Sequence, residues 1–275
     1  MGMTREPEYP GRTRYHGAEA RFYNRKWKGT LSKRRLWGAE VAVIEAIVKA
    51  VPTNSMFLDA ACGTGRHLPA LSSFGVRWVA TDISPDMLQQ VPSGTGSGIG
   101  VVQAELERLP FADASFGYVL CFKLFQLLPM EAACQVLHEL ARVSSGAIVL
   151  ELPLSDAAAL APAALSRNRL ARRFHRSGWR WEPTVRSMRR LVRRTRRVRT
   201  GRSSFFDPDQ HGGCRPQGVR SQAPSRLSDI ADLATCCGLR IADVQRMGRS
   251  RWTVVVLEPI GTHWCGPLPP SRARS

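Results

Sequence analysis

The chain has 275 residues, of which 43% are hydrophobic and 23% are charged. This composition is typical of a globular protein with a sizeable core and excludes wholesale disorder. No apolar run reaches the roughly 18–20 residues that span a bilayer, and no apolar stretch follows the charges at the N-terminus, so we expect neither a membrane helix nor a secretory signal. Seven scattered cysteines without a Cys-x-x-Cys pair predict free thiols, no metal site and a cytoplasmic location.

The net charge of +18 is concentrated in the second half of the chain, because residues 151–275 carry +15 of it. Residues 166–202 hold 15 arginines and one acid, Glu182, and residues 185–199 predict an amphipathic basic helix. Such a helix fits RNA or a phosphorylated or lipid-headgroup substrate, but it equally fits a packed helix with a solvated basic face. Arginine outnumbers lysine 35 to 5, as in genomes with GC-rich codons. These readings stay open at this point.

Strands and helices are predicted to alternate along the chain, which indicates a parallel sheet built from βαβ units. After an arm over 1–17 and an aromatic, basic stretch over 18–37, helices are predicted at 39–50, 66–74, from Pro85 onward, 131–143 and 226–237. Strands are predicted at 56–60, 76–81, 101–103, 116–122, 147–152, 239–245 and 252–258, with a flexible loop at 92–100. The expected organisation is an N-terminal arm and lid (1–38), a core (39–152), an Arg-rich insertion or cap (153–225), completion of the core (226–258) and a flexible tail (259–275).

The strongest motif follows the first predicted strand, where Asp59 precedes a turn that contains Ala61, Gly63 and Gly65. Glycines in such a turn let the backbone approach a ligand closely. A dinucleotide-binding turn would place a third glycine where Leu68 stands, so an NAD-dependent oxidoreductase is disfavoured. An acid before the glycines instead suits a cationic group, such as the amine of an amino acid.

Three further motifs follow in order. Asp82 ends the second predicted strand, 23 residues after Asp59, where a carboxylate can accept from the two hydroxyls of a ribose. A segment from Gln103 to Phe116 contains Glu105-Leu106 and a Leu-Pro-Phe run. The fourth predicted strand ends in Phe122-Lys123.

With these four motifs the sequence resembles the class I S-adenosylmethionine-dependent methyltransferases, in particular the small soluble ones. The resemblance implies an α/β fold with a Rossmann-like seven-stranded sheet in the order 3-2-1-4-5-7-6, the last strand antiparallel, and here an Arg-rich lid insertion. It also implies S-adenosylmethionine as cofactor, bound by Asp59, Ala61, Gly63, Gly65, Asp82, Ile83, Met87, Glu105, Leu106 and Phe122. The sequence departs from the family in Ala61 for glycine, in Glu105 for aspartate, and in Ser144-Ser145-Gly146 where a Lys-Pro-Gly-Gly turn is usual.

The catalytic base, if one exists, is not identified by the sequence. Candidates are Tyr15, His16, Lys123, Asp207 and His211, but a sulfonium is a good leaving group and positioning can suffice. We expect O- or N-methylation of a small-molecule metabolite. The alternatives are an RNA (tRNA or rRNA) methyltransferase that binds phosphates through the 166–202 cluster, and a basic binding module on a methyltransferase-like fold. Neither a Pro-Cys motif nor an Asp/Asn-Pro-Pro-aromatic motif follows the fourth strand, which disfavours methylation of nucleobases.

Overall fold

The computed structural model describes residues 14–49, 51, 54–93, 98–156, 222–247 and 251–260. The helices are α1 (Ala18–Lys28), α2 (Leu31–Val48), α3 (Leu68–Ser73), α4 (Pro85–Leu88), α5 (Met130–Val143) and α6 (Leu227–Cys236), with a short 3₁₀ turn at Phe125–Leu127. The strands are β1 (Met56–Ala60), β2 (Arg77–Asp82), β3 (Gly98–Gln103), β4 (Phe116–Phe122), β5 (Ser144–Pro153), β6 (Leu239–Arg246) and β7 (Trp252–Pro259).

The seven strands form one sheet in the order β3-β2-β1-β4-β5-β7-β6, which confirms the predicted order. Strands β1 to β5 are parallel to one another, and β7 is antiparallel to both of its neighbours. The order reverses direction between β1 and β4. In open α/β sheets such a switch point leaves a crevice at the carboxyl ends of the strands.

The core lies on the two faces of this sheet. On one face, α5 and α6 pack against alternate strand residues such as Leu58 and Val119. On the other face, α2 and α3 pack against the intervening residues such as Phe57 and Leu120. Strands covered on both faces have no polar side, which explains why the sequence shows short apolar runs at β1, β4 and β5 instead of an alternating pattern.

Two of the predicted boundaries are wrong. The turn predicted at residues 144–146 is the start of β5, and Gly146 passes so close to its neighbour that a Cβ would lie 2.2 Å from the carbonyl oxygen of Gly117. The loop predicted at 92–100 gives way to β3 at Gly98, where a Cβ would lie 2.3 Å from the Trp78 indole. In both places glycine allows a close approach within the sheet, whereas the sequence pattern favoured a turn.

The aromatic, basic stretch over 18–37 forms α1 and the first two turns of α2. Thr30 caps α2, because its hydroxyl oxygen accepts from the backbone N–H of Lys33. The sequence prediction started this helix at residue 39, where the buried side chains begin. No helix of the described residues is long and apolar enough to cross a membrane.

Candidate active site

A cleft opens at the carboxyl ends of β1, β2 and β4, at the switch point of the sheet. It encloses about 680 Å³, part of it open to solvent. Its walls come from the N-terminal segment, from the turns after β1 and β2, and from the segment after β4. The described residues that line it are Tyr15, Tyr23, Ala61, Gly63, Asp82, Ile83, Met87, Leu106, Glu107, Phe122, Lys123, Leu124, Leu127 and Val136.

The turn after β1 curls because Ala61, Gly63 and Gly65 all adopt positive φ, at 58°, 57° and 69°. A Cβ on Gly63 would lie 3.1 Å from the side chain of Met87, and one on Gly65 would lie 2.8 Å from the side chain of Leu68. Both positions therefore need glycine for space as well as for conformation. Ala61 fits without glycine but in a strained conformation.

Asp82 lies at the floor of the cleft with its carboxylate held by the backbone. One oxygen accepts from the N–H of Gly63 at 2.8 Å, and the other accepts from the N–H of Ser84 at 2.9 Å. Burial raises the pKa of this carboxyl, and the hydrogen bonds from the backbone work against that increase. Each oxygen keeps lone pairs for further donors. The arrangement is that of a fixed acceptor facing the cleft.

Asp59 lies beside Asp82 on the same face of the sheet but is 2% exposed. Its Oδ2 has no hydrogen-bond partner among the described residues. Burial raises the pKa of Asp59 to about 7, the charge of Arg66 opposes this increase, and the charge of Asp82 adds to it. A buried carboxylate with a free oxygen is costly unless a donor or a cation completes it.

The N-terminal segment covers the cleft. The hydroxyl of Ser84 donates to the carbonyl oxygen of Tyr15 at 2.6 Å, and the N–H of Gly17 donates to the carboxylate of Asp86 at 2.8 Å. The rings of Tyr15 and Tyr23 meet edge to face, with centroids 5.6 Å apart. The two tyrosines therefore close the cleft on the side away from the sheet.

The comparisons with known proteins agree with this fold. Residues 57–145 match the family model of a methyltransferase domain. Over 110 residues the chain is 31% identical to the uncharacterized methyltransferase YodH of Bacillus subtilis (strain 168). That alignment covers 38% of this chain and 47% of YodH, so the chain spans about half the length of the curated relative that it matches.

Solved structures share the architecture at low identity. Magnesium protoporphyrin IX methyltransferase from Synechocystis PCC 6803 with bound SAM superposes with a TM-score of 0.57 at 12% identity, over 90% of this chain and 95% of that one. A Haloferax volcanii methyltransferase, solved in complex with the Trm112 methyltransferase activator, superposes with a TM-score of 0.51 at 13% identity, over 92% of this chain and all of that one.

Residues 57–145 form a methyltransferase domain, and its fold is that of the class I S-adenosylmethionine-dependent methyltransferases. The cofactor of this enzyme family is S-adenosylmethionine. The methyltransferase domain has the features that such a molecule needs: a turn with two glycines of positive φ, a carboxylate held at the cleft floor, and a buried acid that lacks a donor.

Seven of the predicted cofactor-binding residues line the cleft. They are Ala61, Gly63, Asp82, Ile83, Met87, Leu106 and, at the end of β4, Phe122. Asp59 and Gly65 lie behind this wall, and Glu105 is half-buried outside it, whereas its neighbour Glu107 faces the cleft. The assignment of Glu105 as the acid that binds adenine stays a prediction. Glu107 is the carboxylate that lines the cleft.

Two of the candidate acid/base residues, Tyr15 and Lys123, line the cleft. Tyr15 lines the cleft, and its pKa is raised mainly by burial. The His16 side chain is 44% exposed and lies 3.8 Å from the Asp86 carboxylate. Asp207 and His211 lie outside the described residues, as do the Arg-rich cluster over 166–202 and most of the predicted insertion. Among the described residues, no three His, Cys, Asp or Glu side chains are grouped as a metal site.

Lys123 adopts a positive φ of 61° at the end of β4, and its backbone N–H donates to the carbonyl oxygen of Glu151. Its ammonium group lies 2.6 Å from Glu40 Oε1 and 2.9 Å from Glu151 Oε1. Sequence analysis named Lys123 but missed both glutamates. The available signal for Glu40 was an acid within the otherwise apolar stretch over 39–50.

Proposed function

We propose that the methyltransferase domain transfers the methyl group of S-adenosylmethionine to an oxygen or nitrogen of a small-molecule metabolite. The observation that carries the proposal is the cleft at the switch point of the sheet. There, a carboxylate fixed by two backbone N–H groups lies beside a turn in which Gly63 and Gly65 leave the backbone accessible. We also propose that the protein acts in the cytoplasm, because all five described cysteines are free thiols.

Each predicted residue has a role that fits its position. Asp82 would accept from the ribose hydroxyls, since both of its oxygens are already fixed in orientation. Gly63 and Gly65 would let the amino acid part lie against the backbone, and Asp59 would balance its ammonium group. Leu106 and Ile83 would cover the adenine, with Glu105 or Glu107 as acceptor for its amino group.

The bound cofactor supplies a methyl group on a positively charged sulfur, which is a good leaving group. The task of the chain is then to align the acceptor, exclude water and stabilise charge. Burial raises the pKa of both Tyr15 and Tyr23, so their hydroxyls stay protonated at neutral pH. They can donate a hydrogen bond to an acceptor atom but are unsuited to remove its proton.

The size of the cleft favours a small acceptor. Tyr15 and Tyr23 of the N-terminal segment line it, and the acceptor would share its roughly 680 Å³ with the cofactor, which suits a metabolite more than a folded polymer. RNA is the second candidate, because residues 14–35 carry eight Lys and Arg against one acid, Glu19. Together with the Arg-rich cluster over 166–202, this surface would supply phosphate contacts.

Donor binding is tested by isothermal titration with S-adenosylhomocysteine. Asp82→Ala removes an acceptor of charge-assisted hydrogen bonds and should weaken binding about 100-fold. Asp232→Ala, an exposed aspartate on α6, is the matched control and should bind as the wild type does. Equal affinity in Asp82→Ala and in the control would refute the ribose assignment.

The acceptor is tested by incubating the protein and labelled S-adenosylmethionine with a cell extract, which is then separated into RNA, protein, lipid and small-molecule fractions. We expect label in the small-molecule fraction, lost with Asp82→Ala. Label in RNA would replace our first choice with the second. In that case binding should also weaken steeply with added salt, because phosphate contacts release counterions.

A further inference from the structure

A buried cluster of charged and aromatic side chains lies beneath α1, next to the cleft but apart from the groups assigned to the cofactor. Six different elements and turns contribute to it. Its members are Trp27, Glu40, Arg66, His67, Lys123, Glu151 and Trp252. We call it the Trp27 cluster.

Glu40 is the centre of the Trp27 cluster and is fully buried. Its carboxylate lies 2.7 Å from Arg66 Nη2, 2.8 Å from His67 Nε2 and 2.6 Å from Lys123 Nζ. Burial alone would raise the pKa of Glu40, but the hydrogen bond from His67 and the charges of Arg66 and Lys123 lower it to about 2. Glu40 is therefore ionised at physiological pH, and its carboxylate holds the Arg66 and Lys123 side chains beneath α1.

The Trp27 ring packs over the two cations of the Trp27 cluster. The Arg66 guanidinium lies 4.3 Å from the centroid of its ring, and the Lys123 ammonium lies 4.7 Å from it. The same ammonium lies 3.8 Å from the ring of Trp252 on β7. A cation shielded from water between two indoles is attracted to both faces more strongly than an exposed cation would be.

Trp27 is also connected to the cleft along α1. It lies one helical turn after Tyr23, with ring centroids 6.3 Å apart, and Tyr23 in turn contacts Tyr15. Both tyrosines line the cleft. The two cations that attract Trp27 lie beside the turns at the cleft floor, since Arg66 follows the glycine turn and Lys123 follows β4. The Trp27 side chain therefore connects α1 to both of these turns.

We propose that Trp27 is a positioning residue of the donor site: its contact with Arg66 and Lys123 seats α1 so that Tyr23 and Tyr15 close the cleft around the cofactor. The inference rests on the proposed function for the identity of that ligand. Other contacts fix the start and middle of this segment, such as the hydrogen bond from the Thr64 hydroxyl to Asn24. Trp27 is the contact that aligns the end of α1 with both turns.

The test compares Trp27→Leu with Trp27→Phe, which keeps an aromatic face. Phe22→Leu is the matched control, because Phe22 lies on the same helix under Arg25 but is 53% exposed. We expect Trp27→Leu to weaken binding of S-adenosylhomocysteine by about tenfold while Tm stays close to that of the wild type. Trp27→Phe should bind within about threefold of the wild type, and Phe22→Leu should bind equally well. Wild-type affinity in Trp27→Leu, or equal loss in the leucine and phenylalanine variants, would overturn the proposal.

Hydrogen exchange without ligand separates this proposal from the proposed function. Amides of α1 should exchange about tenfold faster in Trp27→Leu than in the wild type, while amides of β4 should not change. The double variant Lys123→Met with Glu151→Gln removes the cation without leaving an extra buried charge, and should show the same faster exchange. If wild-type protein failed to bind S-adenosylhomocysteine, the proposed function would fail, yet α1 exchange would still decide the role of Trp27. Unchanged α1 exchange in both variants would refute that role.

Discussion

The glycine turn and the Trp27 cluster lie side by side under the same cleft but are built in opposite ways. The turn draws its essential residues from seven consecutive positions, Asp59 to Gly65, and places backbone groups at the ligand. The Trp27 cluster takes one or two side chains from each of six places in the chain, and its charged groups are buried against one another. One region presents polar groups to the cleft, and the other places its charged groups against one another in the core.

This difference separates the groups that contact a ligand from the groups that hold the walls in place. Asp59 keeps a free oxygen near the cleft, whereas Glu40 has three partners and no exposure. Substitutions that remove a group in contact with the ligand should therefore change affinity more than stability. Substitutions at the centre of the Trp27 cluster should do the reverse, and three experiments can sharpen or break this distinction.

The largest effect is expected from Glu40→Leu. Removal of this carboxylate leaves Arg66 and Lys123 buried with Glu151 as the remaining anion of the cluster. Burial and the charge of Glu40 raise the pKa of Glu151 to about 7, so this pKa should fall once Glu40 is removed. Loss of one partner of a buried ion pair costs about 3–5 kcal/mol of the free energy of unfolding. Urea unfolding measures it, with Glu45→Gln on the same helix as control, since Glu45 pairs with the exposed Lys49. A loss below about 1 kcal/mol would mean that the cluster contributes little to stability.

A smaller effect, and one that depends on pH, is expected from Asp59→Asn. The pKa of Asp59 is about 7 in the folded protein and near its usual value of 3.8 in the unfolded chain, so the folded state binds more protons between these limits. Stability contributed by this group is present below about pH 4 and is lost as the pH rises to about 7. The wild type should lose on the order of 1 kcal/mol per pH unit relative to Asp59→Asn over this window.

The comparison of the wild type with Asp59→Asn separates the effect of Asp59 from that of His67. The lowered pKa of His67, about 4, makes stability increase with pH in both proteins. Thermal or urea unfolding at pH 5 and pH 8 provides the measurement. Parallel pH profiles for the wild type and Asp59→Asn would show that Asp59 is ionised in the folded protein, and that another group already completes it.

The smallest effect is expected from Ala61→Gly, which restores the residue usual in the family. Glycine relieves the cost of a positive φ, about 1–2 kcal/mol for alanine, but loses roughly 0.5–1 kcal/mol through greater freedom of the unfolded chain. We expect a net gain of about 0.5 kcal/mol in the free energy of unfolding and unchanged affinity for S-adenosylhomocysteine. Weaker binding in the variant would show that the Ala61 methyl group contacts the ligand.

The sheet could be predicted because its information is local and ordered along the chain. Asp59 and Asp82 each end an apolar run, and the resemblance supplied the strand order that those runs adopt. The boundaries at β3 and β5 could not be predicted, because Gly98 and Gly146 take part in close contacts with residues far along the chain. The same residue type marks turns elsewhere, so a local pattern favours the wrong structure there.

The candidate site, like the sheet, could be predicted only where its residues belong to local motifs. The glycine turn and Asp82 carry motifs, whereas Glu40 and Glu151 are single acids within apolar stretches and become a pair only when the sheet forms. Trp27 lay in a stretch noted for its aromatic and basic residues, but no spacing connected it to Arg66 or Lys123. Contacts that join six elements leave no periodic signal in the sequence.

The described residues on either side of 157–221 meet at one point of the core. Ser155 donates to the carbonyl oxygen of Ser225 through both its N–H at 2.6 Å and its hydroxyl at 2.9 Å, and the N–H of Leu227 donates to Asp156. The two ends of these 65 residues are therefore fastened to each other by the core itself. Because these contacts lie within the described core, the register of β5 against β4 and β7 is fixed independently of the length of chain between residues 156 and 222.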